Sequence, residues 1–114
     1  MQAFVVYGEP ASKANSRRLV SFGGKPRVIK SSKALSYSQA FKLQCKGTPM
    51  DGDLVVTMTI YYASRRPDLD ESLILDLLQG IAYHNDRQVK EKHIYGGLDK
   101  EKPRCEIEVR RRGP

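Results

Sequence analysis

Asp68-Leu69-Asp70 sets two carboxylates two residues apart, after an alternating apolar run and ahead of a leucine-rich segment. Asp86, in Tyr83-His84-Asn85-Asp86-Arg87-Gln88, is a candidate third acid from another loop. Carboxylate oxygens are hard ligands, and Mg²⁺ is usually held by one or two of them while it keeps several waters. Loops at the ends of rigid elements are common places for reactive groups. A second reading needs no chemistry. Asp68 with Glu71 fits a capping box, and acids in a first helical turn complement the helix dipole. That reading covers Asp68 and Glu71 better than Asp70. In a helix starting at Asp68, Asp70 falls within about 20° of Leu77, inside the apolar stripe, where a carboxylate needs a partner.

The other chemistry-bearing residues form no pattern of this kind. His84 and His93 lack metal-ligand spacing and read as surface or loop residues. Ser12, Ser16, Ser31 and Ser32 have no evident base partner. Cys45 and Cys105 lack the paired spacing of a zinc site or a disulfide framework and read as free thiols of a reducing compartment. Gly23-Gly24 reads as a turn, since no strand and helix flank it as a phosphate loop requires. Arg110-Arg111-Arg112 reads as a basic tail, with a phosphate contact as the lesser reading.

The charge balance is open to two readings, a polyanionic partner such as nucleic acid and a merely solvated basic surface. The chain has 20 Lys and Arg against 13 Asp and Glu, a net charge of +7. The excess is uneven: residues 1–40 carry seven bases and the single acid Glu9. Basic surfaces attract phosphate polymers and speed encounter with them.

The elements that must position these residues follow from patterning. At 114 residues the chain is expected to be one domain, 1–114. No apolar run approaches a membrane span, and residues 1–7 lack the basic start of a signal peptide, so a cytoplasmic protein is expected. Residues 2–7 read as a strand closed by Gly8 and Pro10. Leu19–Phe22 and Arg27–Ile29 flank Gly23-Gly24-Lys25-Pro26 as a small hairpin. Ser31 or Ser32 caps a helix that runs to about Lys46, with Ala34, Tyr37, Phe41 and Cys45 on one face. Leu54, Val56, Met58, Ile60 and Tyr62 alternate as the buried face of a strand. A second helix is expected from about Asp68 to Gln79, with Leu69, Leu73, Ile74, Leu77 and Leu78 as its core stripe. Strands are expected from about Val89 to Tyr95 and from Arg104 to Arg110, with Gly96-Gly97 and Pro103 bracketing the turn between them. The fold class is α+β: a mixed four-stranded sheet, two helices on one face, and a small basic hairpin.

The order of these features resembles the RusA family of Holliday-junction resolvases, small endonucleases common in phages and prophages. The resemblance spans nearly the whole chain. It rests on Pro10-Ala11-Ser12-Lys13-Ala14-Asn15 after the first strand, then Gly24-Lys25-Pro26-Arg27-Val28 with Tyr37. Its most specific parts are Arg66-Pro67-Asp68-Leu69-Asp70, the stretch from Leu75 to Tyr83, and Asp86-Arg87-Gln88-Val89. Pro103-Arg104-Cys105-Glu106-Ile107-Glu108-Val109 is similar to the family's last strand.

The resemblance implies a homodimer that binds a four-way DNA junction and cuts two strands of like polarity. It implies Mg²⁺ as cofactor, with Mn²⁺ as a possible substitute, and a bacterial or phage-infected host cell. Asp68, Asp70 and Asp86 correspond to the family's catalytic, metal-binding aspartates. DNA contacts are expected from Lys13, Asn15, Arg17, Arg18, Lys25, Arg27, Lys30, Arg65, Arg66 and Arg87. The chain departs from the family pattern at three positions. Glu71 follows Asp70 where the family has Asn, Ile74 stands where it has Lys, and Asn85 replaces the first acid of an Asp-Asp pair. Arg65, Arg66, Arg87, Lys90 and Lys92 are the basic residues able to stand in for the lysine. The alternative function is a non-catalytic branched-DNA-binding protein on the same fold. An RNA-binding module fits less well, since no run of aromatics suited to base stacking is evident.

Overall fold

The computed structural model describes residues 1–11, 17–22, 25–65 and 69–113, with residues 17–22 and 25–30 described by their backbone alone. In chain order the elements are β1 (Gln2–Tyr7), β2 (Arg17–Phe22), β3 (Lys25–Lys30), α1 (Ser32–Gln44), β4 (Leu54–Tyr62), α2 (Ser72–Leu77), a 3₁₀ turn (Asp86–Gln88), β5 (Val89–Leu98) and β6 (Arg104–Arg111). The main sheet has the order β1-β6-β4-β5, and β2 pairs with β3 in a separate two-stranded sheet. β4 and β5 are parallel and all other pairs antiparallel, so the sheet is mixed. The fold is α+β, as the patterning predicts.

β4 is the central strand because it buries residues on both faces. Leu54, Val56, Met58, Ile60 and Tyr62 enter one core with Val6, Cys105, Ile107 and Val109 of the flanking strands. Ala34, Tyr37 and Phe41 of α1 and Leu73, Ile74 and Leu77 of α2 cover that face. The opposite face carries a shallow groove lined by Ala3, Val5, Thr57, Thr59, Glu106 and Glu108. Both helices therefore lie on one side of the sheet.

Local chemistry sets the element ends. Ser31 caps α1 by accepting the Ala34 N–H at 3.2 Å. The free edge of β1 is covered by side chains: the Gln44 amide accepts from Tyr7 N–H at 2.8 Å and donates to Tyr7 C=O at 2.9 Å. Asp99 builds the turn before β6. Its carboxylate accepts the Glu101 and Lys102 N–H groups and the Arg104 guanidinium. The backbone bond from Lys102 and the bond from Arg104 hold the Asp99 carboxyl below its ordinary value.

Three expected boundaries shift. α1 ends at Gln44 rather than near Lys46. β5 runs on through Gly96-Gly97 to Leu98, so the turn lies after the glycines. The reason is packing: a Cβ on Gly97 would stand 2.6 Å from Tyr61 Cδ1, and only glycine lets that ring lie across the strand. The second helix is shorter at both ends than the stretch from Asp68 to Gln79. Leu69 is consequently outside the core stripe and exposed, whereas Leu73, Ile74, Leu77 and Leu78 are buried. The two cysteines are free and buried. Burial pushes the Cys45 thiol up to about 11 and the Cys105 thiol up to about 12, so both are poor nucleophiles at neutral pH. His84 and His93 are exposed, paired with Asp51 and Glu91 at 3.1 Å each, and His93 lies within β5 rather than a loop.

Candidate active site

The parallel pair β4 and β5 is joined through α2, a β-α-β crossover. In open sheets, ligands favour the loop beyond the carboxyl end of a strand in such a unit. Asp70 belongs to that loop, between β4 and α2. Asp68 lies outside the described residues. Asp70 is described and half-buried.

Asp70 is held by its neighbours on three sides. Its N–H donates to the buried Tyr62 hydroxyl, at the end of β4, at 3.4 Å. Its Oδ1 accepts the Ser72 N–H at 3.0 Å and the Ser72 hydroxyl at 2.6 Å. The chain on either side follows β5. Leu69 Cδ1 lies 3.5 Å from where a Cβ on Gly96 would stand, and Glu71 pairs with Lys92 at 3.0 Å. Asp70 sits between these contacts. The helical-stripe argument for Asp70 therefore fails, because the helix starts two residues later, at Ser72. Its partner is the start of α2, through a bond that aspartate makes readily to a backbone two residues on. Glu71 does not complete a capping box. It occupies the cap position without a capping bond and turns its carboxylate to Lys92.

Asp86 opens the 3₁₀ turn that leads into β5 and is exposed. The turn is tightly built. The Asn85 side chain accepts the Arg87 N–H at 2.9 Å, and Gln88 Oε1 accepts the Asn85 and His84 N–H groups. Gln88 Nε2 donates to the Met50 and Gly52 carbonyls, which fixes the turn to the segment before β4. Asparagine thus serves at position 85 because a cap needs only a side-chain acceptor. Asp86 N–H donates to Gln79 Oε1 at 3.1 Å, tying it to the segment after α2. Tyr83 links the same parts: its hydroxyl donates to the Leu75 carbonyl of α2. Burial, and then the charges of Asp86 and Asp76, hold that phenol well above its ordinary value.

Among the described residues, no group of three or more His, Cys, Asp or Glu side chains is placed to hold a metal. Asp70, before α2 in the chain, and Asp86, after it, are fixed by separate hydrogen-bond systems. Ile74 is fully buried in the core, so that position serves packing. Tyr62, Ser72, Gln79 and Gln88, which hold the two acids, are not among the expected site residues. Ser72 alone left a signal, in the Asp-x-Ser spacing.

Of the expected DNA contacts, Lys13, Asn15 and Arg66 lie outside the described residues. Arg17, Arg18, Lys25, Arg27 and Lys30 are placed by strand register only. Arg17 stands opposite Lys30, Val20 opposite Arg27 and Phe22 opposite Lys25. Arg65 and Arg87 are described and exposed.

The family model of endodeoxyribonuclease RusA matches residues 8–110. The chain belongs to the RusA family. Membership carries, at that level, endonuclease action on DNA and the resolution of Holliday junctions. RusA nucleases generally depend on a divalent metal and act on branched DNA. Among curated proteins none matches the chain. No helix among the described residues is long and apolar enough to cross a membrane. The RusA match includes both Asp70 and Asp86, and it also spans the basic hairpin β2-β3.

Proposed function

We propose that the protein is a Mg²⁺-dependent endonuclease that resolves four-way DNA junctions by paired symmetric nicks, acting as a homodimer. The RusA match over residues 8–110 carries this reading. The donor chemistry suits the ion. Asp68, Asp70 and Asp86 offer hard carboxylate oxygens, Asp70 is pre-oriented by Ser72, and Asp86 stands exposed on a rigid turn. Mn²⁺ has similar ligand preferences and is expected to substitute. When bound, the ion supplies charge neutralisation and a more acidic water at the phosphate.

The chain's own residues do the positioning. Tyr62 anchors the Asp70 backbone to the end of β4, and Ser72 fixes the carboxylate. The Asn85–Gln88 turn and Gln79 hold Asp86. Such fixing matters because a misplacement of about 1 Å can cost about a hundredfold in rate. Lys13, Arg17, Arg18, Lys25, Arg27, Lys30, Arg65, Arg66 and Arg87 would contact phosphates, and Asn15 would add a neutral donor. A four-way junction is itself two-fold symmetric, so a two-fold dimer places one site on each of two opposed strands. Such DNA is met in the cytoplasm of a bacterium or a phage-infected cell.

The test is a synthetic four-way junction incubated with the protein in Mg²⁺ and, separately, in EDTA. Paired nicks of like polarity in Mg²⁺ alone are expected. Tight binding with no nick in Mg²⁺ or Mn²⁺ would replace the enzyme with a branched-DNA-binding protein.

A further inference from the structure

We propose that Lys92 supplies the cation that meets the scissile phosphate, and that Glu71 is its positioning residue. The inference rests on the nuclease reading of Asp70. Lys92 is on β5, two residues from the core residue Ile94, on the helix-covered side of the sheet. Its Nζ lies 3.0 Å from Glu71 Oε2, and Glu71 is the residue directly after Asp70.

The pair is lopsided. The Glu71 side chain is 18% exposed and that of Lys92 is 52% exposed. The carboxylate is thus the fixed member, and the ammonium is the one that faces solvent. An ammonium has three donors, and one carboxylate oxygen leaves the others free. A cation held beside a phosphate site counts most where negative charge builds up, on the pentacovalent oxygens of the transition state. In the reaction a water oxygen bonds to phosphorus and the bond from phosphorus to the departing ester oxygen breaks. A proton leaves the water and one reaches the departing oxygen. Lys92 takes no part in these proton transfers and acts by charge.

The experiment measures single-turnover cleavage of a four-way junction in Mg²⁺, with junction affinity measured in EDTA, for wild type, Lys92→Gln, Lys92→Arg and Glu71→Gln. Lys92→Gln is expected to lose about a hundredfold in cleavage rate, in the range for removal of one charge-stabilising donor. Its junction affinity should fall less than about threefold, because the contact strengthens only in the transition state. Lys92→Arg should recover most of the rate, and Glu71→Gln should lose about tenfold, since the cation stays but is no longer held. A wild type that cuts while Lys92→Gln cuts equally well overturns the role of Lys92 and leaves the nuclease reading intact. Equal loss in Lys92→Gln and Lys92→Arg with a matching fall in melting temperature would also overturn it, as a structural pair. A wild type that cuts no junction in any divalent metal overturns the nuclease reading, and this inference with it.

Discussion

Asp70 is half-buried and already engaged, since one of its oxygens accepts two bonds from Ser72. Asparagine keeps an oxygen at that position and can accept the same bonds, so Asp70→Asn changes charge and leaves the turn in place. The expected outcome is a loss of at least about a hundredfold in cleavage. Binding to the junction should hold or tighten, because one negative charge near phosphate is gone. Cleavage and fluorescence anisotropy measured on the same preparation would decide it, and cutting at the parental rate would remove Asp70 from the site. The sequence marks Asp70 as unusual because its acid falls where a helix would bury it. Its true partner is not legible there: a serine two residues on satisfies it only because the helix begins at Ser72, and helix starts are poorly fixed by pattern alone. Glu71 misleads for the same reason. Its capping role depends on a helix starting at Asp68, and β5, distant in the chain, provides Lys92 instead.

At the scale of elements, the alternation of β4 is fully legible, because a period of two with one apolar face admits few other structures. Gly96-Gly97 is not, since paired glycines signal a turn unless something must cross them. In β5 that something is Tyr61, whose ring would meet a Cβ on Gly97 at 2.6 Å and 2.8 Å. The ring cannot easily swing away: the Arg104 guanidinium lies 4.1 Å from its centroid, and that guanidinium is itself fixed by Asp99 and Glu106. Gly97→Ala is therefore expected to destabilise the protein by about 1–3 kcal/mol, the usual cost of overpacking. Gly113→Ala is the control, since nothing lies within 4 Å of its added methyl. Urea midpoints of the two variants make the comparison. A Gly97→Ala midpoint equal to that of the control would mean that Tyr61 and Arg104 repack freely.

At the scale of the whole molecule, charge is segregated along the chain. Glu9 is the only acid ahead of Asp51. The sheet pairs charges of opposite sign, Arg104 with Asp99 and Glu106, and Arg110 with Glu108. The hairpin does the opposite in its register, setting Arg17 against Lys30. Like-charged residues at opposed register positions cost stability on their own. Under the proposed function the hairpin would add affinity that does not depend on DNA form, whereas the Asp70 loop would act on the bond to be cut. The two contributions separate in a salt titration. Removing one cation from a phosphate lowers the slope of log affinity against log salt by about 0.9 for duplex DNA. Arg17→Ala should therefore weaken binding to junction and linear duplex alike and reduce the slope by about one, while single-turnover cleavage at saturating protein stays near the parental rate. An unchanged slope would place the hairpin off the DNA. A slope that falls for the junction alone would make the hairpin a reader of branched geometry, because an interaction shared by both DNA forms cannot change in only one of them.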